Sequence, residues 1–261
     1  MNAVMDEHRG HDTRFELNHE LTQKAQKDLV ARFRPGGRLR IPDLLESAGG
    51  LLLYRHLTSD VSWNTFLVAD NTMYSAAPGP SGGHATDVEN EMRARAYTGA
   101  RKGFACWYDA DRLFPEDAPE GLQIEGAADT PVLAGFKQFL NSPPFLDLCR
   151  TVTGLAQIER ADIRAMRLRP GQFIAFHSTL PYSTRWGRRL LAFEMNLTIE
   201  WKPEWGGLYE FKGSDNYVAE ACIPSFNLLD IFSTHKGRWI SPVAPFADGE
   251  RLSISGWLYA Q

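Results

Sequence analysis

Four basic side chains in the C-terminal third of the sequence have the chemistry to bind a metal or an anion: His177, His235, Arg238 and Arg251. An imidazole can ligate a metal or act as a base near neutral pH. A guanidinium matches a carboxylate with two parallel hydrogen bonds. Each residue also has a structural interpretation: His177 as a hydrogen-bonded core residue, His235 as an exposed residue of the turn THKGR, and Arg251 as a cap on a sheet edge.

The elements that would position these side chains change in character near residue 158. Beyond it, short β-rich runs alternate with Pro-Gly, Trp-Gly, Gly-Gly and Asp-Gly turns, which predicts strands at 163–168, 173–177, 190–197, 208–211, 228–232, 239–243 and 252–259. Before it, periodicity and capping signals predict helices at 18–33 and 86–102 and after Thr130-Pro131 and Pro143-Pro144, with strands at 51–54, 63–68 and 104–108.

This order of elements predicts an α+β, mainly β fold in one domain, residues 18–261. Helices over 18–157 would support a β core over 158–261, and residues 1–17 would form a mobile polar arm.

Composition narrows the class of protein. The chain has 261 residues, 43% hydrophobic and 23% charged, with a net charge of −4, so no charge excess favours nucleic acid or an anionic membrane. The N-terminus lacks the apolar segment of a signal peptide, and no apolar run approaches the roughly 18 residues of a membrane span. Three widely spaced cysteines form no zinc pattern, which favours buried thiols in a cytoplasmic protein.

An ordered series of motifs carries a family resemblance. The series is RPGQF at 169–173, HST at 177–179, NL at 196–197, WGG at 205–207, PSFN at 224–227 and RLSISGW at 251–257. Read in order, it resembles the prolyl-hydroxylase-like branch of the 2-oxoglutarate- and Fe(II)-dependent oxygenases, in particular bacterial members ending in a run like PVAPFADGERLSISGWL, here 242–258. The resemblance implies a double-stranded β-helix, a jelly-roll or cupin-like core.

The resemblance also implies a site for Fe(II), held in the family by an HxD…H triad. His177 stands at the first ligand position, but Thr179 stands where the family has aspartate. The distal histidine position falls on Arg238, and His235, three residues earlier, fits only if the loop shifts in register. A hydroxyl supplies no charge, and a guanidinium places a cation where the metal belongs.

The cosubstrate half of the family site resembles its relatives more closely. Arg251 matches the arginine that binds the far carboxylate of 2-oxoglutarate, with Ser253 on the same strand face. Leu168 replaces a tyrosine that often contacts the cosubstrate in relatives. We therefore expect Arg251, Ser253 and His177 to face a central cavity, with Thr179 and Arg238 beside it. Arg238 has two further interpretations, reaching solvent or pairing with a carboxylate such as Glu194.

Three functional hypotheses follow. The first is a non-catalytic or partner-dependent member of the family, which binds a small dicarboxylate or amino-acid-like ligand and pairs with a metal-competent paralogue or with itself. The second is an active hydroxylase of an amino acid, peptide or small metabolite, with His177 and His235 in a non-standard iron site. The third is a metal-free catalyst in which His177 is the base and Arg238 or Arg251 binds an anion.

Overall fold

The computed structural model describes residues 14–21, 23–33, 37–77, 86–114, 130–179, 183–184, 187–235 and 237–260. The helices are α1 (Gln23–Phe33), α2 (Ser47–Ser59), α3 (Thr86–Ala100), α4 (Pro131–Leu140) and α5 (Pro143–Thr153). The strands are β1 (Arg38–Ile41), β2 (Asn64–Ala69), β3 (Thr72–Ala76), β4 (Cys106–Ala110), β5 (Arg160–Leu168), β6 (Phe173–His177), β7 (Ser183–Thr184), β8 (Gly187–Leu197), β9 (Tyr209–Lys212), β10 (Val218–Cys222), β11 (Phe226–Phe232), β12 (Arg238–Ile240) and β13 (Arg251–Ala260).

The strands form one curled antiparallel sheet in the order β1-β11-β8-β13-β5-β4-β6-β12-β9-β10. Strand β4 joins the two arms of this sheet, because Asp109 pairs with Arg167 of β5 while Cys106 pairs with Ile174 of β6. The arms therefore curl toward each other around a central space. This arrangement confirms the predicted mainly β, α+β fold with a double-stranded β-helix core.

Side-chain alternation along β8 and β13 separates the apolar core from the inner face of the sheet. Phe193, Met195 and Leu197 of β8 belong to the large core cluster that includes residues of α4 and α5. Glu194 and Asn196 point the other way, as the two-residue period of a strand requires. On β13 the core face carries Leu252, Ile254 and Leu258, while the alternate positions belong to the inner face. One face of the sheet thus packs against helices, and the other is left for the site.

Two N-terminal segments differ from their predicted structure. The run at 51–54 was expected to be a strand but lies inside α2, which packs Leu53 and Leu57 into the core. Its Gly50 permits close approach to β11, since an added Cβ would lie 3.1 Å from Phe226. Residues 14–17 of the expected arm are also packed, because Phe15 is buried in the core; residues 1–13 lie outside the described residues.

Other sequence signals coincide with the observed element ends. Thr130 caps α4 through its side chain, with Pro131 in the first turn, and Gly154 ends α5 in the left-handed conformation. All three cysteines are free and buried, as predicted. No helix in the described part of the chain is long and apolar enough to cross a membrane.

A buried carboxylate ties the strand that joins the two arms to its neighbours. Asp109 is fully buried and accepts hydrogen bonds from Arg167 at 2.8 Å, Arg169 at 2.8 Å, Gln172 at 2.7 Å and Thr65 at 2.7 Å. Burial alone would raise the pKa of Asp109, but the two guanidinium groups and Gln172 outweigh it and lower that pKa below its ordinary value. The RPGQF motif thus anchors the wall of the central space.

We predict that Asp109→Asn lowers the free energy of unfolding by about 3–5 kcal/mol at neutral pH, because it removes the shared partner of two half-buried cations. Because the folded-state pKa is lowered, the carboxylate stabilises the protein above its unfolded pKa, and this stabilisation is lost as the pH falls. Urea denaturation should therefore show a smaller difference in the free energy of unfolding between wild type and Asp109→Asn in acid than at neutral pH. As a control, Asp147→Asn at the exposed pair with Arg150 should cost less than about 1 kcal/mol.

Candidate functional site

A cavity of about 630 Å³ lies between the two arms of the sheet. Most of its wall is apolar or aromatic, and its charged side chains are Arg164, Arg189, Glu194 and Arg238, with His177 and Thr179 nearby on the wall. A mainly apolar wall of this size with polar groups set into it is typical of a binding site for a small organic molecule. The wall is lined by Val68, Asn71, Met73, Phe104, Cys106, Tyr108, Leu113, Phe114, Arg164, Met166, Ile174, His177, Thr179, Arg189, Ala192, Phe193, Glu194, Tyr209, Phe232, Arg238, Ile240, Ser255, Gly256 and Trp257.

His177 ends β6 and lines the cavity, as predicted. Its Nδ1 lies 3.0 Å from the carbonyl oxygen of Ala175. Because a carbonyl can only accept, Nδ1 carries the proton and Nε2 keeps its lone pair. Burial, reinforced by the charge of Arg238, lowers the pKa of His177 to about 4, despite the opposing bond to Ala175. The imidazole is therefore neutral at pH 7.

Arg238 lies directly opposite His177 across the β6–β12 pair. Its side chain is 4% exposed and lines the cavity. Nη1 donates to the carbonyl of Thr234 at 2.8 Å, and Nη2 donates to Oγ1 of Thr179 at 3.4 Å. The structure thus places the guanidinium in the cavity instead of in solvent, in contact with the residue at the expected aspartate position.

The backbone around Thr179 is fixed against the turn that precedes β12. Thr179 donates its N–H to the carbonyl of Thr234 at 2.9 Å, and Oγ1 of Thr234 donates to the carbonyl of Thr179 at 2.8 Å. These reciprocal bonds hold the end of β6 and the Arg238 turn together. His235, one residue beyond Thr234, is exposed and does not line the cavity. The role of His235 as a metal ligand stays a prediction, and in this structure its side chain lies outside the cavity.

The residues at the three expected ligand positions do not fit Fe(II). Such a site needs two imidazoles and a carboxylate, whereas this one offers one imidazole, one hydroxyl and one guanidinium. A guanidinium has five donors and no lone pair to give to a metal. The Thr179 hydroxyl supplies no charge and already accepts from Arg238. No group of three His, Cys, Asp or Glu side chains among residues with a described position could hold a metal ion.

Arg251 and Ser253 lie one layer beneath the cavity, which differs from the expectation that they face it. Arg251 is 1% exposed, and its Nη1 forms an ion pair of 2.6 Å with Oε1 of Glu194. Its Nε donates to the carbonyl of Gly207 at 2.9 Å, and Nη1 lies 3.4 Å from Oγ of Ser253. Glu194 lines the cavity, whereas Arg251 does not. Glu194 therefore pairs with Arg251 and not with Arg238.

The WGG motif supports the Arg251 side chain from behind. Gly206 and Gly207 both have positive φ, and a Cβ at Gly206 would lie 2.2 Å from the carbonyl oxygen of Pro242. A Cβ at Gly207 would lie 3.3 Å from Cδ of Arg251. Only glycine fits this turn comfortably, and it directs the Gly207 carbonyl at the guanidinium. Leu168, at the position where relatives often have tyrosine, pairs with Arg251 across β5–β13 and is fully buried.

A second buried carboxylate lies beside Glu194 on the neighbouring strand. Asp230 pairs with Glu194 across β8–β11. Its Oδ1 forms an ion pair of 2.9 Å with Arg40, and its Oδ2 accepts from Asn196 at 2.8 Å. Burial, opposed by Arg40 and reinforced by Glu194, raises the pKa of Asp230 to about 7. Both carboxylates of this layer thus have a cation as partner.

Sequence reasoning named Glu194 as a possible partner of Arg238, whereas Glu194 pairs with Arg251. It missed Tyr209, a cavity residue that interacts with Arg238 by charge and hydrogen bonding. Burial raises the pKa of Tyr209 to about 12, although Arg238 opposes this rise. An acidic residue inside the apolar run LLAFEMNL was a signal for a buried partner of an arginine. The sequence carried no comparable signal for Tyr209.

We predict that Glu194→Gln lowers the free energy of unfolding by about 3–5 kcal/mol, because it leaves Arg251 buried without a counter-charge. Replacing both residues, Glu194→Met with Arg251→Met, should recover most of this loss, since apolar side chains of similar size tolerate burial. Urea denaturation measures both. Glu220→Gln, at the more exposed pair with Arg38, is the control and should cost less than about 1 kcal/mol. A Glu194→Gln protein as stable as the wild type would contradict the prediction.

Known proteins share parts of this sequence and this fold. Residues 164–259 match the sequence profile of the 2OG-Fe(II) oxygenase superfamily. No curated protein matches the chain in sequence. The structure is similar to a prolyl-4-hydroxylase from Pseudomonas putida, with 14% identity, a TM-score of 0.53 and coverage of 90% of this chain and 99% of that one.

Two further solved structures share the fold. A 2OG-Fe(II) oxygenase family oxidoreductase from Burkholderia pseudomallei has 11% identity, a TM-score of 0.55 and coverage of 91% and 92%. A Trichoplax adhaerens prolyl hydroxylase, solved with a peptide fragment of the hypoxia inducible factor oxygen degradation domain, has 14% identity, a TM-score of 0.55 and coverage of 91% and 90%. At these identities the likeness concerns the fold alone. The profile match is confined to residues 164–259, so it is this β-rich segment whose sequence is similar to the 2OG-Fe(II) oxygenase superfamily.

Proposed function

We propose that this chain is a non-catalytic member of the superfamily, which does not hold Fe(II) and uses its cavity to bind a small organic ligand. The observation that carries the proposal is the position of Arg238, which pairs with His177 across β6–β12 and whose guanidinium touches Thr179. Two of the three side chains that would ligate the metal are thereby replaced, one of them by a cation.

The chemistry of the replaced positions supports this proposal. A divalent ion beside His177 would lie close to the guanidinium, and two cations in a poorly solvated cavity repel each other. Arg238 cannot relieve this repulsion by deprotonation, because its pKa lies far above the physiological range. His177 alone is a weak site, since binding needs further neutral or anionic ligands.

The cosubstrate end of the family site supports the same conclusion. Arg251 is neutralised by Glu194, so an incoming dicarboxylate such as 2-oxoglutarate meets a carboxylate before it meets the guanidinium. Displacing Glu194 would leave that residue buried and unpaired, at a cost of several kcal/mol. The arginine that resembles the family's cosubstrate clamp thus serves here as a partner within the protein.

The other two hypotheses find less support. An active hydroxylase with His235 as a ligand would require this exposed turn residue to enter the cavity. A metal-free catalyst would require His177 to accept a proton near pH 7, but the pKa of His177 is lowered to about 4. A base with that pKa is weak at neutral pH.

We predict that the wild-type protein retains far less than one equivalent of Fe(II) after anaerobic loading and desalting. Thr179→Asp combined with Arg238→His should retain about one equivalent, because it restores two imidazoles and one carboxylate around the cavity. Metal analysis by plasma mass spectrometry measures both.

The control for this experiment is a triple variant that adds His177→Ala to the two restoring substitutions. It should lose the iron that the double variant gains, which ties the metal to this cavity. Stoichiometric iron in the wild-type protein, lost on His177→Ala, would refute the proposed function.

A further inference from the structure

Arg238 is a buried cation whose charge the described residues leave unbalanced. On the inner face of the sheet, Arg251 pairs with Glu194 and Arg40 pairs with Asp230. No carboxylate with a described position lies within ion-pairing distance of Arg238, and its Nε has no hydrogen-bond partner there. A buried charge without a counter-ion costs several kcal/mol. A binding partner with a negative charge would remove this cost.

From this imbalance we infer that the cavity binds the carboxylate of an apolar organic acid at Arg238, and not a 2-oxoglutarate molecule at Arg251. The inference rests on the proposed function, since it requires the guanidinium to occupy the place of the metal. The family resemblance indicates Arg251 as the anion site and assigns the position of Arg238 to a ligand of iron. The inference places the anion at Arg238 instead.

The groups around Arg238 suit a carboxylate. The hydroxyl oxygen of Thr179 accepts a hydrogen bond from Nη2 of Arg238. The hydroxyl hydrogen of Thr179 can therefore still be donated to a bound anion. The Tyr209 hydroxyl, hydrogen-bonded to the same guanidinium, has the same capacity. His177 is neutral and opposite, so it neither repels the arginine strongly nor competes for the anion. A guanidinium flanked by two hydroxyls is a complete set of donors for one carboxylate.

The rest of the cavity wall suits an apolar body. Met73, Phe114, Met166, Ile174 and Ile240 all line it. A space of about 630 Å³ accommodates a molecule well beyond the size of a simple inorganic anion. Glu194 also faces this space and disfavours a second carboxylate nearby through like-charge repulsion. Arg164 and Arg189 also line the cavity, so the inference concerns the carboxylate that binds at Arg238 and the hydrocarbon or aromatic body attached to it.

Isothermal titration calorimetry of the full-length, metal-free protein tests this inference with phenylbutyrate and octanoate as probes. Each acid should bind at least about tenfold more tightly than its neutral alcohol, phenylbutanol or octanol, and more tightly than 2-oxoglutarate. Arg238→Gln should weaken binding of the acids by about tenfold to a hundredfold and leave binding of the alcohols unchanged, so that acid and alcohol become similar.

The matched control is Arg38→Gln on β1, where the guanidinium lies over Phe211 and pairs with Glu220 outside the cavity wall. It should bind both acids as the wild type does. Arg238→Gln removes an unbalanced charge, so its melting temperature should equal or exceed that of the wild type, which excludes misfolding as the cause of lost binding.

Two results would overturn the inference. One is acid binding that is equally tight in the wild type and in Arg238→Gln; the other is the absence of binding by both acids at about 1 mM. Tight binding of 2-oxoglutarate that survives Arg238→Gln would instead assign the anion site to Arg251. None of these three results depends on the iron measurement. The iron measurement therefore tests the proposed absence of Fe(II), and the calorimetry tests the anion site at Arg238.

Discussion

The ion pair between Arg251 and Glu194 determines the chemistry of the whole cavity. It fixes an arginine of β13 to a carboxylate of β8, two strands that run side by side through the middle of the sheet. Because both groups are almost fully buried, neither can be released cheaply to another partner. The pair therefore removes one cation from the cavity and leaves a carboxylate on its wall. Arg238 is thereby left on the cavity wall without this carboxylate as its partner.

Arg251 and Arg238 show how the same side chain serves two purposes a short distance apart. Arg251 has three partners from the protein: the Glu194 carboxylate, the Gly207 carbonyl and the Ser253 hydroxyl. Arg238 has only neutral partners, so its hydrogen bonds are largely met while its charge is not. A fully satisfied arginine stabilises a fold, whereas one with unbalanced charge favours a ligand. The proposed anion site at Arg238 depends on this difference.

Much of the fold followed from sequence because strands alternate and turns are marked by glycine and proline. The run at 173–177 was predicted at its observed bounds. The run at 51–54 is not, because a short apolar stretch fits a strand or a buried helix equally. The structure places it in α2, which buries Leu53 and Leu57 in the core. The positions of His177, Thr179 and Arg238 came from motif spacing. The partner of Glu194 could not be predicted from motif spacing, because Arg238 and Arg251 were both available. The pairing of β8 with β13 brings Arg251 to Glu194.

The contact between Arg238 and Thr179 has a consequence for how this cavity could become an iron site. If Thr179 alone became aspartate, the new carboxylate would pair with the adjacent guanidinium and leave nothing for a metal. If Arg238 alone became histidine, two imidazoles would face a threonine hydroxyl, without the anionic ligand that iron requires. Neither single substitution therefore supplies a set of ligands that holds a metal. Two substitutions made together, at positions that touch each other, are needed to convert this cavity into an iron site.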